Sequence, residues 1–108
     1  ISKMLPGFQD KKIFDFLCLI SQETSSEAIV CGGSSMQILD TTNVLSKIKI
    51  PCLILTGSED IVVSKEKSLF LYDTIKNALH IEIKGVGHAP YCENALEFNE
   101  KISSFLST

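Results

Sequence analysis

Arginine and tryptophan are absent from the sequence, so all ten basic residues are lysines, and thirteen Asp and Glu leave a net charge of −3. A mildly acidic chain without arginine lacks the basic patch that a phosphate backbone requires, which argues against nucleic-acid binding. Long hydrophobic runs are missing as well. The longest stretch, Ile13-Phe-Asp-Phe-Leu-Cys-Leu-Ile20, is interrupted by Asp15 and falls far short of the roughly 20 apolar residues that span a bilayer. No CxxC pair occurs among Cys18, Cys31, Cys52 and Cys92, which disfavours a zinc ribbon or a thioredoxin-like motif. We read the four as buried reduced thiols, with two disulfides in a secreted domain as the alternative. With no signal-peptide pattern at its start, the chain is expected to be cytoplasmic. Neither a phosphate-cradling glycine loop nor a cluster of metal ligands is present, so no cofactor and no metal is expected.

What is there is an ordinary folding composition. The 108 residues are 44% hydrophobic and 21% charged, enough for one small domain with one core. Residues 1–9 form a connecting segment with a Pro6-Gly7 turn signal. Ile13, Phe16, Leu17 and Ile20 recur at helical spacing and predict a helix over 10–21. Thr24-Ser-Ser-Glu27 is a capping-box pattern that should start a second helix. Gly32-Gly33 is expected to break that helix, which resumes through Met36, Ile38 and Leu39. A short helical turn is expected from Thr41 to Ser46.

After Lys49 the character of the chain changes. The apolar run from Ile50 to Thr56 fits a parallel strand covered on both faces. A helix over Lys65–Lys76 follows, with Ser64 as N-cap. Leu79-His-Ile-Glu-Ile83 alternates strictly, as a half-exposed edge strand does, and this places His80 on the solvated side. Ala95, Phe98, Ile102 and Phe105 mark one face of a last helix over Cys92–Leu106. The order is α/β, but two strands do not complete a doubly wound sheet. The strand at 50–56 is short of neighbours, which are expected from an N-terminal portion upstream of Ile1 or from a second copy of the chain.

Two loops follow the two strands, Gly57-Ser-Glu-Asp-Ile-Val-Val63 and Lys84-Gly-Val-Gly-His-Ala-Pro90. Functional groups collect at the carboxyl ends of strands in α/β sheets, and Asp60 and His88 both lie there. A carboxylate beside an imidazole is the orienting half of a nucleophilic triad: the acid fixes the tautomer, and the imidazole takes the nucleophile's proton. Taken singly, an Asp in a turn is usually a turn-former, and Tyr91 beside the second loop is a packing residue before it is a substrate contact.

Leu45-Ser-Lys-Ile-Lys-Ile-Pro-Cys-Leu-Ile-Leu-Thr-Gly-Ser-Glu-Asp60 resembles the late strand and acid loop of the α/β-hydrolase family, L-x-x-I-x-x-P-x-L-x-x-x-G-x-x-D. Gly85-Val-Gly-His-Ala-Pro-Tyr-Cys-Glu-Asn-Ala-Leu-Glu-Phe98 is similar to its histidine loop and final helix, G-x-G-H-x-x-x-x-E-x-P-x-x-F, with Ala95 in place of the usual proline. The resemblance covers residues 45–106. It implies an α/β fold in which 45–108 is the C-terminal portion of the hydrolase sheet, two parallel strands with crossover and final helices, preceded by cap-type helices over 1–44. It also implies that Asp60 is the triad acid and His88 the base, and that Glu93 is a structural helix-start residue; the expected substrate is a small ester or lactone, while the resemblance equally admits C–C bond hydrolases, enol-lactonases, dehalogenases and haloperoxidase-like members.

The family's nucleophile sits in a G-x-S-x-G elbow, and no such motif occurs. Gly32-Gly33-Ser34-Ser35-Met36 comes nearest, with Met36 where the last glycine should be. The expectation is therefore a C-terminal fragment of a serine-type hydrolase whose nucleophile lies upstream, inactive alone. The alternatives are a miniature triad through Ser34, and an inactive fragment that associates through its unpaired sheet edge. Phe8, Phe14, Phe16 and Leu17 could line an acyl pocket, but are read as core.

Overall fold

A computed structural model describes residues 3–108; the first two positions of the 1–9 segment lie outside them. Helices α1 (Lys11–Gln22), α2 (Ser26–Ile38) and α3 (Thr42–Leu45) precede strand β1 (Cys52–Gly57), helix α4 (Lys65–Thr74), strand β2 (Ala78–Ile83), the short helix α5 (Pro90–Glu93) and helix α6 (Ala95–Leu106). The strands pair in parallel from Cys52 opposite Ala78 to Gly57 opposite Ile83. Paired residues of a parallel ladder share a face, so Ile54, Thr56, His80 and Glu82 lie on one side and Leu53, Leu55, Leu79 and Ile81 on the other.

Helix α4 covers the first side. Its Lys65 reaches Glu82 at 3.4 Å, and its Tyr72 ring lies 6.4 Å from the His80 ring. Helix α6 lies over the second side, where Phe105 and Ser104 line a cleft with Leu79 and Ile81. Neither side is left wholly to solvent: Glu82 is exposed and Ile83 fully buried, as alternation assigns them, but His80 and Leu79 depart from it. His80 is half-buried and its Nε2 lies 2.8 Å from the Thr56 hydroxyl, whereas Leu79 is 48% exposed.

The capping groups follow the sequence closely. Asp10 accepts from Lys12 N at the start of α1, and Ser64 from Lys67 N at the start of α4. At α2 the cap is Ser25, which accepts from Ala28 N at 3.1 Å, one residue beyond the capping-box threonine. That helix runs unbroken through Gly32 and Gly33 to Ile38. The expected last helix is split. Asn94 leaves helical geometry (φ −146°, ψ 72°) and caps α6 by accepting from Glu97 N, which puts Ala95 at the first helical position, the place where proline is favoured.

The core gathers at the carboxyl end of the sheet, where Ile83, Val86 and Ala89 are buried. Neither α1 nor α2 has a buried residue; Phe16 is 61% exposed and so is not core. The described thiols form no disulfide, but none is buried, and Cys31 on α2 is exposed. The surface comes to 8049 Å², against about 5,900 Å² for a compact monomer of this mass. The radius of gyration is 15.6 Å, where about 13 Å is usual for this length. The edge of β1 that faces away from β2 has no strand beside it among the described residues.

Candidate active site

Both loops at the carboxyl end of the sheet are fixed by the strands they leave. As the chain exits β1, Ser58 N donates to Ile83 O and Glu59 N to Val86 O, at 2.9 and 2.8 Å, so the first loop is laid directly on the second. Gly57 makes this approach possible, since a Cβ there would run into the carbonyls of Val86 and Gly87. The second loop turns at Gly85, whose φ of +78° is left-handed and suits glycine.

Asp60 closes a turn of its own. Its Oδ1 accepts from Val62 N at 2.8 Å and from Val63 N at 3.1 Å, and this leaves Oδ2 to meet His88 Nδ1 at 3.3 Å. Such a distance is long for a charge-assisted bond and ordinary for a site without substrate. The Asp60 side chain is 13% exposed and that of His88 40%. Burial by itself would raise the Asp60 pKa. The amides of Val63 and Val62 and the His88 ring together outweigh it, and the carboxyl is held below its ordinary value. Asp60 is thereby kept ionised, in the state that favours a proton on Nδ1 and leaves the Nε2 lone pair available.

A cavity of about 230 Å³ opens beside the pair, lined by Ile54, Gly57, Asp60, Leu71, His88 and Pro90. A larger one of about 330 Å³ lies between the 5–9 segment and α1, where Phe8 and Phe14 meet edge to face at 5.3 Å. Of these two, the smaller reaches Asp60 and His88. Among the described residues no three His, Cys, Asp or Glu side chains converge as a metal requires.

Of the groups singled out from sequence, Asp60 and His88 are brought together and Ser34 is not brought to them. Ser34 lies mid-way along the exposed helix α2, with none of the strand-to-helix strain that projects a nucleophile, which removes the miniature triad. Among the described residues no serine hydroxyl hydrogen-bonds His88. Tyr91 packs its ring 6.1 Å from that of Phe98.

The sequence reading gave Glu93 a place but not its extent. Glu93 is 1% exposed and hydrogen-bonds Gly7 N, Gly87 N and Ala89 N. The contact between the 4–7 segment and the histidine loop, where His88 N donates to Met4 O at 2.7 Å, had no signal in composition or periodicity. The acid five residues beyond a histidine in a glycine-rich loop was the one available hint.

The chain is similar to known proteins. The model of the family described as serine hydrolase (FSH1) matches residues 6–96. A protein of Pseudomonas syringae pv. syringae (strain B728a) named as a carbamate hydrolase, RutD, is 28% identical over 74 residues, 68% of this chain and 29% of its own. The solved structure of Est816, described as an N-acyl homoserine lactone degrading enzyme, aligns with 61% of this chain and 26% of its own at a TM-score of 0.58 and 35% identity. The match thus spans under a third of either relative's length. No helix among the described residues is long and apolar enough to cross a membrane. With a family match over most of its length and a solved lactone-degrading enzyme similar in fold at 35% identity, the chain belongs to the serine hydrolase (FSH1) family, among the α/β-hydrolases.

Proposed function

We propose that this chain is the C-terminal part of a serine-type α/β-hydrolase that cleaves small carboxylic esters or lactones, with Asp60 as triad acid and His88 as triad base. The observation that carries the reading is the 3.3 Å contact between Asp60 Oδ2 and His88 Nδ1 beside an open cavity, with Nε2 free. A serine from upstream attacks the carbonyl carbon while Nε2 takes its proton. Asp60 stabilises the resulting imidazolium, which returns the proton to the departing alkoxide. A water molecule, deprotonated by the same Nε2, then releases the acid. In this reading residues 1–44 end a cap over the site, residues 45–108 belong to the catalytic core, and the free thiols suit a cytoplasmic protein. The lactone- and carbamate-directed names of the two relatives support acyl transfer to water as the reaction class. The 108 residues alone are inactive, because nucleophile and oxyanion hole supply much of the rate.

The open β1 edge and the excess surface favour a second reading, in which the chain folds by pairing that edge with another copy and catalyses nothing. Hydrolysis of p-nitrophenyl acetate and of an N-acyl homoserine lactone by the intact protein, with and without His88→Ala, separates the two. Turnover abolished by the substitution supports the hydrolase; a stable dimer of this chain with no turnover in the intact protein sinks it.

A further inference from the structure

Glu93 is the least accessible charged side chain described, at 1% exposure, and no lysine or histidine is paired with it. A lone buried carboxylate is costly unless hydrogen bonds replace its water. Three backbone amides do so. Oε1 accepts from Gly87 N at 2.9 Å and Gly7 N at 2.7 Å, and Oε2 from Ala89 N at 3.0 Å. Gly87 and Ala89 are the residues immediately before and after His88. The amide of His88 itself points the other way, to Met4 O at 2.7 Å.

The histidine backbone is therefore gripped at three consecutive amides, two by one carboxylate and the middle one by the 4–7 segment, which the same carboxylate also holds. Each is a bond from the loop to a partner held elsewhere in the fold, and two of the three go to the oxygens of one carboxyl group. The other ties on this loop, Glu59 N to Val86 O and Gly85 N to Ser58 Oγ, hold its start at Gly85 and Val86; the His88 ring itself has only the long Asp60 contact and is 40% exposed.

We propose that Glu93 is a positioning residue for His88. By clamping the amides on both sides of it, Glu93 sets the ring's distance to Asp60 and the aim of Nε2. The proposal rests on the reading of His88 as triad base, but its geometric content is separate from catalysis. A structural helix-start residue would need only α5. Here the carboxylate turns back across its own first turn to the loop that bears the base.

The test is Glu93→Gln in the intact protein, read by the ¹⁵N spectrum of the histidine rings. A Gln keeps the shape, but its NH₂ group cannot accept from Ala89 N. In the parent protein His88 shows a single tautomer with the proton on Nδ1. In Glu93→Gln, with the fold intact by circular dichroism, the two tautomers mix, and kcat for the ester falls by about 100-fold, the scale of an ångström-sized misplacement, with KM little changed. An unchanged His88 ring spectrum in a folded Glu93→Gln protein overturns the proposal. If that variant does not fold, amide exchange in the parent protein decides: Gly87 and Ala89 must be as protected as the β2 amides, and fast exchange there overturns it. Failure of His88→Ala to lower activity would remove the triad reading, while the ring spectrum would still report whether Glu93 governs His88.

Discussion

Ser58 Oγ accepts the amide hydrogen of Gly85 at 2.8 Å across 27 residues of sequence. This one bond ties the turn that carries Asp60 to the turn that carries His88. It stands beside the two backbone bonds from Ser58 N and Glu59 N, so the acid loop and the base loop move as one body. Ser58→Ala removes the acceptor at an exposed site. The expected cost is about 0.5–1 kcal/mol of stability, read by thermal unfolding. A several-fold loss of esterase activity in the intact protein should accompany it, since the loops carry the two ends of a single contact.

Asp60→Asn tests the acid with its turn preserved. The Asn carbonyl can still accept from Val62 and Val63, so the loop keeps its shape. Its NH₂ then faces His88 Nδ1 and demands a lone pair there, which moves the ring proton to Nε2 and blocks the base. A fall of about 10⁴-fold in kcat is expected, the scale seen when a triad acid is replaced in this way. Retention of activity would remove Asp60 from the mechanism.

Acid sensitivity follows from the same carboxyl. The pKa of Asp60 is lowered in the folded chain, so between its folded and unfolded values the unfolded state binds the extra proton. The stability that Asp60 contributes is fully present above the ordinary carboxylate value of about 3.9 and is lost as pH falls through the lower, folded value. Acid titrations of the parent protein and of Asp60→Asn should therefore differ most at neutral pH and converge at the acid end. A gap independent of pH would show that the carboxyl's charge contributes nothing.

Helix α2 makes two opposite predictions. Ser34→Ala should leave hydrolysis unchanged, because Ser34 is exposed in the middle of a helix, without the strand-to-helix elbow of a nucleophile. Gly32→Ala and Gly33→Ala should each strengthen the helix by about 1 kcal/mol, since a Cβ at either position meets nothing within 4 Å. Amide exchange across Ser26–Ile38 reads the gain, and a helix weakened by alanine would mean the glycines hold a contact that this geometry lacks.

The elements that sequence located well are those with local causes. Ser64 caps α4, Ala78–Ile83 pairs as a strand, and Asp60 and His88 fall on loops after parallel strands because the β-α-β order leaves them no other end of the sheet. The misreadings share a different cause. Alternation at Leu79–Ile83 reveals that the strand has two faces, but not that α4 lies over one and α6 over the other, and under α4 His80 comes to bond Thr56. Asn94 caps a helix as readily as it joins one, and here it leaves helical geometry and accepts from Glu97 N, so the chain stops and restarts there. Two glycines in a helix are a penalty rather than a prohibition, so α2 continues through them. The tie of Met4 to His88 joins parts of the chain that share no pattern.

The parallel pairing of β1 with β2 through α4 sets Asp60 and His88 on either side of one crossover, 28 residues apart. Bringing the two side chains together requires the closure of a single modest loop, to which the 4–7 segment adds its long-range ties at His88 N and Glu93. Short-range contacts of this sort form ahead of long-range ones as a protein folds. If the nucleophile arrives from upstream, it meets a proton relay that has already been assembled. A polypeptide cut ahead of Leu45 would leave relay and nucleophile on different pieces, and activity recovered on mixing them would measure the docking of two half-enzymes.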